Sequence, residues 1–462
     1  MSNNPKTCKY SYNYSDIKTK EYKDYQCDRD TILDSTFCAF HHSSYHETDP
    51  ANVRKLFLDE LTSNTNSKFF IGCNLPSVKI SKITPSPSIY FVNTKFHGDV
   101  HFLDIVFNSV DFTKCDIQGR LEFTNVNVDV NLVFKYVRDD DSNLVTTFKR
   151  CNFKNVEFIS TKFKFIKFLE CGFSHANFRY TKFDTMIVDE CSFAEKTDFG
   201  GAAIMKHGEF QSTVFHNAVK FHHAELSGIT VFKDVDFKEQ KLVRFGGDLS
   251  KISFLRTDIT RIMFDENTVW GKDDRYLIYG AQKLEKNPSE EKLSPVLTTY
   301  RNLRENYEFR LMYDEAGQFF IKEMDLKKKY CLDQNNETKP RKFRGYFSLI
   351  YYYNVLCQYG ESFNRVVLWA VAIFSASVIY FACYPDVVEL YTAKPLGDIN
   401  YSEELKNNLA FRLQVSMERT LASFFQADKN HLADYIVRLS SLTVLGALFV
   451  VLRRKLERKF RH

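Results

Sequence analysis

Between residues 148 and 183 the apolar positions recur with a step that neither a helix nor a flat strand uses. Phenylalanine stands at Phe148, Phe153, Phe158, Phe163, Phe168, Phe173, Phe178 and Phe183. A helix turns about 100° per residue, so a step of five scatters these rings around its axis. A flat strand alternates faces, so the same step puts successive rings on opposite sides. The pattern fits a chain that turns a corner every five residues. Four such sides close a coil of about twenty residues in which every ring can point to the axis. Two places before each ring stand Thr146, Cys151, Val156, Thr161, Ile166, Cys171, Ala176 and Thr181, mostly small or β-branched residues that also suit the interior. Lys, Arg, Asn, Glu and Ser fall between and suit solvent.

A milder version of the step extends both ways. Upstream it runs through Phe102, Phe107, Phe112 and Ile117, with Val110 and Cys115 two places before the last two, and Cys73 and Leu75 start the series. Downstream it continues through Val188, Phe193, Phe210, Phe215, Phe221, Leu226, Phe232 and Phe237, then Phe254, Ile259 and Phe264. Steps of six predict bulged corners, and the polar run 136–143 predicts a protruding loop. A central Phe or Leu with a small residue two places earlier resembles the motif of pentapeptide-repeat proteins. That resemblance implies a β-solenoid, the right-handed quadrilateral β-helix, over residues 68–266. At about 4.8 Å between coils the rod is roughly 45–50 Å long.

The flanks follow different periods. Asp49 and Pro50 form a helix start, and Val53, Leu56, Phe57 and Leu61 give a helix over 49–67 an apolar stripe. It is predicted to cap the first coil, whose open edge would otherwise invite aggregation. Residues 267–342 predict a helical cap and linker. Within them 296–330 is one long charged helix with Leu303, Tyr307, Leu311, Phe319 and Phe320 on a face, closing the last coil or acting as a signalling helix. Residues 332–342 are the linker.

Residues 343–462 predict a membrane domain. Its start, 343–365, has the Tyr, Phe, Arg and Lys content of a membrane interface. Residues 366–384 carry no charge and reach about 28 Å as a helix. A second span is predicted at 435–452, with Arg438 near its start placed to snorkel. The tail 453–462 carries six Lys or Arg. By the positive-inside rule this predicts a multi-pass protein of the cell membrane with both termini cytoplasmic. The outer loop 385–434 contains an amphipathic stretch, Leu409, Leu413, Met417, Leu421 and Phe424, that lies on the membrane or dips into it. Span, helix, span resembles the two-span cation channels. Where those carry a filter such as TVGYG, this chain has Phe424, Phe425, Gln426, Ala427 and Asp428. Ser440, Ser441 and Thr443 suit a pore or close helix packing equally.

Composition narrows the chemistry. The 44 phenylalanines are accounted for by the repeat, and the net charge is only +5. Residues 91–266 hold 23 basic and 25 acidic residues, which argues against the strongly acidic DNA-mimic role of some pentapeptide-repeat proteins that protect topoisomerase. No nucleic-acid partner is expected. Cys73, Cys115, Cys151, Cys171 and Cys191 occupy the small inward position as small hydrophobes, which predicts a reducing compartment. The polar opening predicts no signal peptide. Cys8, Cys27, Cys38 and His41 are spaced C-x18-C-x10-C-x2-H. Thiolates with an imidazole suit tetrahedral Zn²⁺ in a closed structural site, and a segment poor in aliphatic residues needs such a staple. The alternative is four unconnected residues in a ragged terminus, with His46 as a decoy and His42 a substitute for His41. Similar Cys-rich starts with this step to histidine occur in some archaeal pentapeptide-repeat proteins. No phosphate-binding loop, nucleophile elbow or zinc-protease motif is present, and His222 and His223 fit solvent-facing repeat positions. No enzyme is expected. Two functions compete: a membrane-anchored scaffold that meets lipid and a protein partner, or an oligomeric pore in which the transmembrane hairpins of several copies associate.

Overall fold

The computed structural model describes residues 7–17, 19–63, 67–81, 87–137, 145–287, 292–332, 338–340, 349–383, 408–425 and 432–460. They form two compact units, 1–311 and 312–462. The predicted loop 136–143 and the residues Gln426, Ala427 and Asp428 fall largely or wholly outside the described residues.

The first unit is a β-solenoid of about nine turns, with parallel strands from Ser67–Phe69 to Met263–Phe264. Each coil pairs with the next in register: Phe123 with Phe148, Phe148 with Phe168, Phe153 with Phe173 and Phe163 with Phe183. Rings in one column stack, as Phe148 on Phe168 at 4.9 Å and 11° and Phe178 on Phe199 at 4.6 Å and 8°. Rings on adjacent sides meet edge to face, as Phe148 with Phe153 at 5.5 Å and 90°. Both geometries suit the aromatic quadrupole. The turn is twenty residues from Phe158 to Phe178, but twenty-one from Phe178 to Phe199 and twenty-two from Phe199 to Phe221. The extra residues appear as register shifts, one of them between Phe183 and Thr185.

The corners carry a constraint that the step of five does not reveal. Arg150, Ser160, Glu170, Tyr180 and Glu190 all have left-handed backbone, with φ between 51° and 57°. These positions are ten apart, so alternate corners use this conformation. It costs an L-residue roughly 1–2 kcal/mol. The next residue in each case is Cys151, Thr161, Cys171, Thr181 or Cys191. Thr161 Oγ1 donates to the Phe134 carbonyl of the previous turn at 3.2 Å, Thr181 Oγ1 to that of Phe158 at 2.5 Å, and Thr257 Oγ1 to that of Phe232 at 3.1 Å. At the other corners, Thr146, Thr197 and Thr230 are buried with no partner for the hydroxyl. The small inward position is therefore two kinds of site.

Both ends of the rod are covered. Helix α1 (Tyr45–Thr48) leads into α2 (Pro50–Thr62), where Asp49 accepts from the Asn52 amide at 3.1 Å and Pro50 opens the helix. Val53, Phe57 and Leu61 are fully buried, and the Phe57 ring lies 4.6 Å from Phe70 of the first coil. Leu56, predicted in the same stripe, is exposed. At the far end, α3 (Tyr279–Lys286) and α4 (Leu293–Phe309) close the last coil. Asn306 donates to the carbonyls of Ile259 and Ile262 at 2.8 and 2.7 Å, and Thr299 to that of Phe254 at 2.9 Å. These bonds fasten the helix to carbonyls of the last coil, which has no further coil to pair with.

The single helix predicted over 296–330 is corrected. It breaks into α4 and α5 (Tyr313–Lys329), because Leu311 adopts φ 64°. Leu311 is exposed rather than on the packing face. The second unit continues with α6 (Leu349–Cys357), α7 (Phe363–Cys383), α8 (Leu409–Phe425) and α9 (Leu432–Phe460). Phe363–Cys383 and Leu432–Leu456 are long and apolar enough to cross a membrane. Val366 of α7 packs with Val444 and Val451 of α9. Arg454, predicted only as part of an orienting basic tail, is built into the unit. It donates to the Tyr359 carbonyl at 2.7 Å, pairs with Glu361 at 3.3 Å and lies 3.9 Å from the centre of the Phe320 ring.

The two kinds of corner predict opposite effects for one substitution. Thr181→Val should destabilise the solenoid by about 1 kcal/mol, the usual worth of a hydrogen bond lost with its buried acceptor left open. Thr146→Val, which removes a buried hydroxyl with no partner, should be neutral or stabilising. Thermal or denaturant unfolding of the two variants checks the order.

Candidate metal centre

The described residues between 7 and 50 bring four side chains together. Strands β1 (Ser11–Ser15) and β2 (Tyr22–Gln26) form an antiparallel hairpin. Cys8 and Cys27 flank its open end, because the Cys27 amide bonds the Tyr10 carbonyl and the Cys8 amide that of Arg29. Cys38 and His41 lie on one turn, in which the His41 and His42 amides both donate to the Cys38 carbonyl at 3.1 and 3.0 Å. The three sulfurs and the imidazole are buried, and their donor atoms lie within 4.8 Å of one another.

The geometry fits a tetrahedral ion. Cys38 Sγ stands 3.2 Å from His41 Nδ1, Cys8 Sγ 3.5 Å from the same nitrogen, and Cys27 Sγ 3.9 Å from Cys38 Sγ. Metal–ligand bonds of 2.0–2.3 Å place tetrahedral donors roughly 3.3–3.8 Å apart. The histidine is oriented as a ligand should be. Its Nε2 lies 2.8 Å from the Ile71 carbonyl, which can only accept. Nε2 therefore carries the proton and Nδ1 presents its lone pair to the sulfurs. Tyr10 stacks on the other face of the ring at 4.0 Å. Tyr10 itself lies against Gly72, where φ is +68° and a Cβ would collide with the Tyr10 hydroxyl.

Arg29 ties the centre to the rod. It donates to Cys27 Sγ at 3.7 Å, makes a two-pronged pair with Glu60 at 2.8 and 2.5 Å, and donates to the Phe69 carbonyl at 2.7 Å. Its guanidinium lies over the rings of Phe40 and Phe70. Hydrogen bonding from the Cys38 thiol, reinforced by His41 and Arg29, holds the Cys27 thiol well below its ordinary range. The same contact holds Cys38 in the thiol form. The pocket thus favours a thiolate before any ion arrives.

The structure separates the histidines that the sequence left open. His41 joins the sulfurs. His42 Nδ1 accepts from the Ser44 amide at 3.3 Å, outside the cluster. His46 is buried and stacks on His97 at 3.7 Å. Sequence spacing gave no indication of Arg29 or of the Ile71 carbonyl. A backbone acceptor leaves no signature, and an arginine among 63 basic residues does not stand out.

No family profile and no solved structure matches the chain. An uncharacterized protein of Methanocaldococcus jannaschii is 24% identical over 271 residues, which cover 52% of this chain and 52% of that protein. The match thus spans about half the length of the relative.

The full-length protein should take up one soft divalent cation per chain. His42→Ala should leave the stoichiometry at one, whereas His41→Ala should weaken binding at least tenfold. Metal analysis after dialysis against a weak chelator reads both.

Proposed function

We propose that this chain is a membrane-anchored pentapeptide-repeat protein whose solenoid acts as a binding scaffold on the cytoplasmic side. The observation that carries the reading is the division of labour along the solenoid. The inward positions are filled by stacked rings, and polar side chains between them, such as Lys154, Lys164 and Glu170, are exposed. Beside the rod, the hairpin overhangs a cleft lined by Tyr12, Tyr22, Asn131, Asn155, Glu157 and Arg179. Its polar floor suits a protein surface better than a small apolar ligand. Fold-level analogy does not choose the partner.

Zinc is the ion proposed for Cys8, Cys27, Cys38 and His41. Three thiolates and an imidazole are its preferred donors, and four protein ligands leave no open position for catalysis. When bound, it would supply a structural crosslink within the N-terminal segment, which His41 and Arg29 in turn tie to the first coil. Non-enzymatic function follows the same logic.

Anchoring is favoured over conduction by Arg438. In a two-span cation channel the carbonyl end of the helix between the spans faces the ion. Here that end is capped: Arg438 Nη1 donates to the Phe424 carbonyl at 2.5 Å, and Ser441 Oγ donates to it at 2.9 Å. A fixed guanidinium at that position opposes a cation.

Three measurements test the proposal. In a Cys383→Ser background, a membrane-impermeant thiol reagent should label Ser402→Cys from outside intact cells and Ser2→Cys only after permeabilisation. Labelling of Ser2→Cys in intact cells would reverse the topology. In planar bilayers the reconstituted protein should be silent, and ion-selective currents would promote the oligomeric pore. Metal analysis should find one zinc per chain, and Cys38→Ser should abolish it.

A further inference from the structure

Helix α8 is inside out for a protein in water. Ser416, Arg419, Thr420 and Ser423 are buried with Val415, while Leu409, Leu413, Met417, Leu421 and Phe425 are exposed. A helix packed in water buries its apolar stripe instead. A helix lying flat on a bilayer turns its polar face to water. Here the buried polar face meets α7 and α9, two helices of membrane-spanning length, and the outward Gln414 and Glu418 bond each other at 3.4 Å.

The charges on that face are paired. Arg419 Nη2 donates to Asp434 Oδ2 at 3.0 Å, and the side chains are 7% and 0% exposed. Ser423 Oγ donates to Asp434 Oδ1 at 2.8 Å. The Arg419 guanidinium lies 4.7 Å from the centre of the Phe381 ring of α7. An ion pair in a low-dielectric interior persists only when its members satisfy each other in this way.

Contacts along α8 fix its direction. Near its start, Arg412 donates to the Ala382 carbonyl at the end of α7, at 2.5 Å. Near its finish, the Phe424 ring meets Phe374, and the Phe424 carbonyl meets Ser441. Phe374 stands nine residues before the end of α7, and Ser441 nine after the start of α9. Both lie about 13 Å along their helices from that end. Ser423 at the same finish reaches Asp434, two residues into α9. Helix α8 therefore begins level with the end of α7 and finishes between the levels of Asp434 and Ser441, short of the middle of either span. Ser423 beside Asp434 at the start of α9 shows that the chain returns to the same end instead of crossing.

We infer that α8 is a re-entrant membrane helix: it enters the bilayer from the end at which α7 finishes, seats its polar face on both spans through the Arg419–Asp434 pair, and offers its Leu413, Met417 and Leu421 face to lipid acyl chains. The inference rests on the membrane anchoring proposed above. The outward faces of the spans carry the same chemistry, with Leu368, Val371 and Ile379 exposed on α7 and Ile436, Leu439 and Leu442 on α9. Lipid is thus the occupant that matches all three helices at once.

The chain's two tryptophans make the test direct. Trp270 is 2% exposed in the solenoid, and Trp369 is 39% exposed on α7. The full-length protein is reconstituted in vesicles of phosphatidylcholine with or without bromine on the acyl chains, and tryptophan emission is compared. In the native chain, Trp369 should be quenched by the brominated lipid. In a Trp369→Phe background, Leu421→Trp and, independently, Met417→Trp should be quenched at least as strongly and should be shielded from aqueous iodide. If Trp369 is not quenched, the anchoring itself fails. If Trp369 is quenched but the α8 tryptophans respond to iodide, α8 lies in water and the inference fails alone. Shielding from both quenchers would mean that a second copy covers the face, which also overturns it.

Discussion

The solenoid depends on one steric constraint: a coil of four short sides leaves a narrow axis that side chains must fill to keep water out. Every side must therefore send one bulky apolar group inward, and a flat ring fills the space best because it can lie on the ring of the turn below. The stack from Phe178 through Phe199 and Phe221 to Phe245 repeats at 4.6–4.7 Å, close to the spacing of hydrogen-bonded strands. Ladder and rings thus share one period, so each reinforces the other. Burial of one such ring is worth about 1.5–3 kcal/mol, and stacking adds about 0.5–1.5 kcal/mol.

That constraint sets the demands on the rest of the first unit. Tight corners force left-handed backbone at ordinary residues, and where Thr161, Thr181 or Thr257 follows, its hydroxyl returns a hydrogen bond to the turn below. Stacked coils expose raw edges at both ends, so helices carrying Phe57 and Asn306 must close them. The N-terminal segment cannot contribute a core of its own. It docks by packing Tyr14 on Ile71, Tyr90 and Val92 and by Arg29, and a cluster of three sulfurs and one imidazole adds what so small a segment lacks.

What the sequence made legible follows from how each feature is encoded. The step of five is carried by side-chain identity at every repeat, so it could be read without alignment. The coming together of Cys8, Cys27, Cys38 and His41 was legible for the same reason, since sulfur and imidazole are rare and the last pair is local. The choice of His41 over His42 was not, because it depends on which ring meets the Ile71 carbonyl. Thr181 and Thr146 look alike in sequence, and only the corner conformation separates them. The break at Leu311 has no Pro or Gly to mark it. Arg419 and Asp434 are fifteen residues apart on different helices, and the direction in which α8 faces is decided by that pair rather than by its apolar stripe.

The central claim is that the ring at each fifth position, and not the strand ladder alone, holds the coils together. Hydrogen exchange of the full-length protein carrying Phe168→Asp or Lys167→Asp tests it most directly. Phe168 is fully buried, 4.9 Å from Phe148 and 5.3 Å from Phe173, so a carboxylate there has no partner and no water. Lys167, one residue away, is half-exposed. The account predicts fast exchange through the coils on both sides of residue 168 in Phe168→Asp and native protection in Lys167→Asp. Equal loss of protection in both, or in neither, would contradict it.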